Sequence, residues 1–259
     1  MEWVNLTSSA LKKAAKKGLP VILPVGSIEA HSDHLPLGND TFKAYRTCIE
    51  AAKKEPAVVL PPLFYTYVKS METHCGAITL DGKLLVELVE KIADETARNG
   101  FKKILIASGH GGNNAWLHYL RNDIMDRQKP YILYTLYIPL LAFPEYKKHM
   151  GTEFDGHGGE VETSIALHLF PELCKMKNLK KAIKPAIPPD YAGGAAGPYD
   201  WIAAWPGALS GDPSCASAEK GKIFFEGCVK LLASVIKQVK KDKYMENFML
   251  KYNKLRNHT

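Results

Sequence analysis

The sequence predicts an α/β fold, a mostly parallel sheet covered by helices on both faces. Three observations carry this. Short apolar runs rich in β-branched residues alternate with amphipathic helical stretches from one end of the chain to the other, the signature of a parallel sheet with crossover helices. The strand-like runs are apolar throughout, as strands buried on both faces are. And 259 residues, 46% hydrophobic and 24% charged, suffice for a full core without disulfide staples.

Taken in order, Ser9 to Lys17 has helical periodicity and ends at Gly18, and Pro20 to Val25 reads as the first buried strand. Thr41 to Lys54 reads as a helix, Val58 to Leu60 as a strand, and Leu84 to Arg98 as a helix closed by Gly100. Gly18 and Gly100 stand where helix C-caps favour glycine. Lys103 to Ala107 and Tyr131 to Tyr137 read as strands on either side of a helix over Asn113 to Arg127. A helical pattern covers Ile165 to Phe170, and a long amphipathic helix Ser217 to Lys241. Between them Pro185 to Pro213 is rich in Pro, Gly and Ala and contains Tyr191, Trp201 and Trp205. A loop of that length within a compact fold is usually a lid or a binding segment. No repeat and no linker interrupts the chain, so residues 1–259 are expected to form a single domain.

Several function classes fall away. No apolar run approaches the roughly 20 residues that span a bilayer. The stretch from Met1 to Lys17 lacks the apolar core of a signal peptide, so a cytoplasmic protein is expected. The formal charge is +7 and the pI about 9.0. The excess lies on helical faces such as Lys12-Lys13 with Lys16-Lys17, and in Lys237 through Lys243. Aromatics do not alternate with these lysines, and no nucleic-acid-binding motif is present. A solvated helix face explains them, while the overall field favours an anionic substrate. Cys48, Cys75, Cys174, Cys215 and Cys228 are odd in number and contain no C-x-x-C pair. They form neither a disulfide framework nor a thiolate zinc site.

Chemistry gathers on three loops. Gly26 to Asp40 follows the first strand, at the sheet edge where open α/β folds bind ligands. Glu29 and His31 are two apart and point the same way in an extended segment. Asp40 opens the next helix, where it could equally be an N-cap. Carboxylate plus imidazole suits zinc, manganese or iron better than calcium or magnesium. The second loop, Ser108 to Asn114, has His110 among glycines. An anion cradle at a helix N-terminus is the competing reading, but the loop lacks the P-loop and dinucleotide signatures. The third, Asp155 to Ser164, sets His157 among glycines before Glu160 and Glu162. If Gly159 starts the helix, the two glutamates point in different directions, so one can reach a metal while the other holds a neighbour.

These strings resemble the creatininase (creatinine amidohydrolase) family. Leu23 to His31 with His34 to Leu37 and Asp40 is similar to its opening motif, and Gly109 to Asn113 to its glycine-histidine loop. His157 to Ser164 is similar to its histidine-rich loop, and Gly211 to Pro213 with Ala216 to Gly221 to its C-terminal signature. The resemblance implies a three-layer α/β/α sandwich, two divalent ions per subunit (zinc, manganese or iron) and hydrolysis of a C–N amide bond. It also implies a small-molecule amide substrate and a homo-oligomer, often a hexamer. It places one ion on Glu29 and His110 and the other on His31, with Asp40 bridging. Creatininase has a glutamate where this chain has Gly112, so Glu160 is expected to supply the missing ligand. His157 matches the position credited with proton transfer, and Glu162 its support. Asn113, Trp201 and Trp205 are expected to face the substrate, the tryptophans from loop composition alone. Ser32-Asp33 replaces the family's glycine-proline. Phe154 replaces a tryptophan near the substrate of creatininase, which points away from creatinine itself.

Two other readings remain open on sequence. A cysteine hydrolase would use Cys75, beside His74, or Cys215. A non-catalytic protein would bind a metal or nucleotide on the same scaffold.

Overall fold

The computed structural model describes residues 1–138, 146–179, 185–188 and 190–256. Four strands, β1 (Val21–Val25), β2 (Val58–Val59), β3 (Lys103–Ser108) and β4 (Ile132–Tyr137), form one parallel sheet in the order β2-β1-β3-β4. Val21 pairs with Val58 on one side and Ile104 on the other, and Ser108 pairs with both Val25 and Tyr137. Residues of β1 and β3 are buried throughout and those of β4 half-buried, as central and edge strands should be.

Alternate side chains of the strands leave the sheet on opposite faces, and each face is covered. Ile22, Leu105 and Ala107 pack under α2 (Asn39–Lys54), α5 (Glu160–Leu169) and α7 (Ala218–Lys241). Val21, Leu23 and Ile106 pack under α1 (Ser8–Lys16), α3 (Gly82–Arg98) and α4 (Asn113–Asp123). This is the expected α/β/α sandwich. From β1 the chain leaves through α2 toward β2, and from β3 it leaves through α4 toward β4. The crevice between the carboxyl ends of β1 and β3 is therefore the switch point of the topology, where such sheets bind ligands.

Gly18 and Gly100 do close their helices in the left-handed region, at φ +65° and +95°. Elsewhere boundaries shift. The second helix starts at Asn39, and the fourth ends at Asp123 before a 3-10 turn over Ile124–Asp126. The short pattern near Ile165 extends back to Glu160, because Asp155 Oδ1 accepts from Val161 N at 3.3 Å and secures its first turn. Within the long loop a short helix, α6 (Asp200–Ala204), forms; residue 189 of that loop lies outside the described residues. A last helix, α8 (Tyr244–Arg256), was not legible, because it buries no residue and so shows no apolar stripe. Among the described residues no helix is long and apolar enough to cross a membrane.

Candidate metal centre and catalytic cavity

All three loops meet at the switch point, beneath a cavity of about 920 Å³. Close backbone approach builds the floor. A Cβ on Gly26 would lie 2.3 Å from Thr41 Cα, and one on Gly109 would lie 2.5 Å from the Asp40 carbonyl oxygen. These two glycines let the first turn of α2 sit directly on the ends of β1 and β3. Thr41 ties it down, its hydroxyl donating to Ser27 O and accepting from Ser27 N, each at 3.0 Å. The N-cap is Gly38, so Asp40 lies inside the helix and its carboxylate is turned to the cavity rather than spent on capping.

The two oxygens of Asp40 face two separate donor groups. Oδ2 lies 3.2 Å from His110 Nδ1, which is 2.6 Å from Glu29 Oε1. Oδ1 lies 3.1 Å from His31 Nε2, which is 3.5 Å from Glu162 Oε2. Ligand atoms within each group, Glu29–Asp40–His110 and His31–Asp40–Glu162, all lie within 4.8 Å of one another, as do those of Glu29, His31 and His157. Ser27 Oγ donates to Glu29 Oε1 at 3.1 Å and to Asp40 Oδ2 at 3.0 Å. The second nitrogens are anchored outward: His110 Nε2 donates to Tyr67 O, and His157 Nε2 donates to Ala30 O at 2.8 Å. Such anchoring fixes which nitrogen remains to ligate or to carry a proton.

Three carboxylates converge in a site nearly closed to solvent, and that governs its protonation. Burial opposes charge on His31 and His110, but Asp40, Glu162 and Glu29 outweigh it and raise them to about 9 and about 10. Burial likewise opposes ionisation of Asp40, yet Lys43 and His31 hold it well below the usual carboxylate range. His157 goes the other way, lowered by burial and by His31, on whose ring it stacks at a 4.0 Å centroid distance. Burial also raises Asp155 to about 6.

The donor set fits divalent cations. Glu29 is 1% exposed and its Oε2 has no hydrogen-bond partner among the described residues. A buried carboxylate oxygen without a partner costs free energy that a cation would recover. The set mixes imidazole and carboxylate, as zinc, manganese and iron prefer.

Glu29, His31, Asp40, His110, His157 and Glu162 are thus brought together. Glu160 is not. Its carboxylate accepts from Gly151 N, Thr152 N, Thr152 Oγ1 and Lys220 Nζ at 2.5–2.9 Å, on the opposite side of α5. The two glutamates do point in different directions, because two residues along a helix turn a side chain by roughly 200°, and it is Glu162 that faces the other donors. Asn113 also lies apart from the cavity. It is fully buried, donating to Gly26 O and Ser108 Oγ and accepting from Trp116 Nε1, so it braces the loops and does not reach the cavity. Trp201 lines the cavity and meets His157 edge-on at 5.2 Å. Trp205 supports the wall indirectly by stacking on Phe154. His34 donates to Thr163 Oγ1 at 2.8 Å, behind the centre. Glu72 pairs with Lys69 near the surface.

Two members of the site were missed. Ser27 was read only as part of the loop. Lys43 sits 2.5 Å from Glu162 Oε1 and 3.1 Å from Asp40 Oδ1. The available signal was a lysine one turn from Asp40 and one turn from Thr47 on α2, flanking the apolar stripe Ala44, Cys48 and Ala51. The cysteine alternative finds no support, since Cys75 and Cys215 are exposed and outside the cavity lining. His74 is turned to Thr73 Oγ1 and Pro206 O rather than to a thiol.

The chain is similar to known proteins in sequence and in fold. The chain is 28% identical over 236 residues to the creatinine amidohydrolase of Pseudomonas putida, covering 84% of this chain and 88% of that one. It is 28% identical over 237 residues to the mycofactocin precursor peptide peptidase of Mycolicibacterium smegmatis, covering 86% of each. A creatininase variant solved in a Zn-Zn form superposes with a TM-score of 0.80 at 25% identity, over 93% of this chain and 98% of that one. The profile of the creatininase family (creatinine amidohydrolase) matches residues 4–236, spanning all three loops and the sheet that gathers them. By fold and family profile alike, the chain belongs to the creatininase family of hydrolases.

Proposed function

We propose that this protein is a metal-dependent amidohydrolase with two divalent ions, zinc, manganese or iron, cleaving a C–N amide bond in a small molecule. The observation that carries this reading is the split of Asp40, one oxygen to each of two histidine–carboxylate groups. Glu29 and His110 would hold one ion and His31 and Glu162 the other, with Asp40 reaching both. Glu162, not Glu160, completes the second group. When bound, such a pair supplies an activated water near neutral pH and polarises the amide carbonyl.

The chain's own residues supply the rest. An amide nitrogen leaves only once protonated, so a proton carrier is needed beside the centre. His157 meets that requirement. Its Nε2–H is held by Ala30 O, which leaves Nδ1 as the basic nitrogen, and burial and the neighbouring His31 lower its pKa, favouring the neutral form that can accept. It would take at Nδ1 the proton given up by the attacking water and return it to the departing nitrogen. Stacking on His31 and the edge of Trp201 fix the ring. Phe154, backed by Trp205, and Trp201 form an apolar wall that shields the reacting bond from bulk water.

The test is removal and return of metal. Protein stripped with EDTA is assayed against cyclic amides, formamides and short peptides before and after zinc or manganese is restored. Activity that vanishes and returns supports the reading, and alkylating the thiols should leave it untouched. Hydrolysis that survives complete metal removal, or two bound ions with no hydrolysis of any amide, would overturn it.

A further inference from the structure

The hydrolytic reading leaves one charged side chain of the centre without a role. Lys43 projects from the inner face of α2, 8% exposed, and its ammonium touches both carboxylates of one donor group: Glu162 Oε1 at 2.5 Å and Asp40 Oδ1 at 3.1 Å. The other group has no such partner. Glu29 and Asp40 Oδ2 are met there by the hydroxyl of Ser27 and by His110, and no lysine or arginine is paired with Glu29 among the described residues. Glu29 Oε2 has no hydrogen-bond partner among the described residues. The two groups share Asp40, and each contains a histidine that gives up its proton to ligate. But only the His31–Asp40–Glu162 group also contains a lysine ammonium, and only the other has a buried carboxylate oxygen without a partner among the described residues.

We propose that Lys43 is the resident cation of the His31–Asp40–Glu162 group, making it the weaker of the two metal sites, filled only after Glu29–Asp40–His110. The inference rests on the two-ion reading above. Its physics is direct. A fixed positive charge beside a divalent ion repels it, and in a buried site salt screens that repulsion little. Lys43 also occupies Glu162 Oε1, leaving Oε2 to the ion, and that oxygen already accepts from Gly158 N at 2.9 Å. Either ion displaces a histidine proton, but the second must also displace or share Lys43 and Gly158 N, whereas the first finds a free lone pair on Glu29 Oε2.

The experiment titrates EDTA-treated full-length protein with Mn²⁺ alone and follows free ion by electron paramagnetic resonance. Wild-type protein should load in two steps separated by at least about tenfold in affinity. His110→Ala should remove the tight step and His31→Ala the weak one. Lys43→Met should strengthen the weak step by about tenfold or more and leave the tight one in place, while Lys43→Arg should preserve the separation. Wild-type protein taking one ion where Lys43→Met takes two would support the proposal in its strongest form. Two equal steps in wild-type protein, loss of the tight step in His31→Ala, or a weak step unchanged or weakened by Lys43→Met would each overturn it. The last outcome would make Lys43 only a brace for Glu162. If neither wild-type nor Lys43→Met binds a second ion, the two-ion reading itself fails. Should Lys43→Met not fold without metal, Lys43→Gln and the order of loss in the histidine variants decide the matter.

Discussion

Two glutamates on one helical turn show how finely a side chain's direction divides its work. Glu160 is enclosed by backbone and hydroxyl donors and by Lys220, so Glu160→Gln should cost about 1.5–3 kcal/mol in chemical denaturation, as a charged hydrogen-bond acceptor does. Bound metal, measured by elemental analysis, should not change; metal loss in this variant would return Glu160 to the ligand set. His157 gives the converse case. His157→Ala should keep its metal and lose about 10²–10⁴ in turnover, the range of a general acid–base group. Metal loss there would make it a ligand through its proximity to Glu29 and His31. At this level the sequence pointed to a common location wherever residue type alone is informative, as for Glu29, His31, Asp40, His110 and His157, whose side chains do converge. It was illegible wherever rotation on a helix decides, as for Glu160 against Glu162, or where an amide can serve backbone as readily as ligand, as for Asn113.

Among elements, α5 and α7 are pressed together until only glycine fits between them. A Cβ on Gly221 would lie 1.8 Å from Ser164 O and 2.5 Å from its carbonyl carbon, so neither backbone could stay in place. Gly221→Ala should destabilise the protein by about 3 kcal/mol or more, beyond ordinary overpacking because the obstacle is backbone. Since α5 carries Glu162, the same change should also weaken metal binding, which separates it from a remote core defect. Strands and amphipathic helices were readable because burial on one or two faces imprints a period on the sequence. The short helix of the long loop, α6, and α8 were not, because neither buries a residue.

For the whole molecule, the concentration of negative charge at the switch point ties metal loading to pH. His31 and His110 are held charged to about pH 9 and 10, yet each must be neutral to donate to a metal. Loading near neutral pH should therefore release about two protons per chain, measurable in weakly buffered solution, and affinity should rise with pH. Both pKa values lie above the ordinary 6.5, so their contribution to the metal-free fold is complete below that value and disappears as pH climbs through 9 to 10. Denaturation of EDTA-treated protein should show this decline, and loaded protein should not; equal alkaline sensitivity would contradict the assignment. The gathering of distant loops was foreseeable from topology, since each follows a strand or opens a helix at one sheet edge. The internal ammonium was not, since no motif marks it. One last consequence follows from the glycines beneath α2. With Gly26 and Gly109 in contact with the backbone of that first turn, Asp40 has nowhere to retreat, and the reach of its two oxygens is a dimension of the scaffold rather than of a pliable loop. The centre should behave as a gauge of fixed width, discriminating among cations by radius before ligand preference has any say.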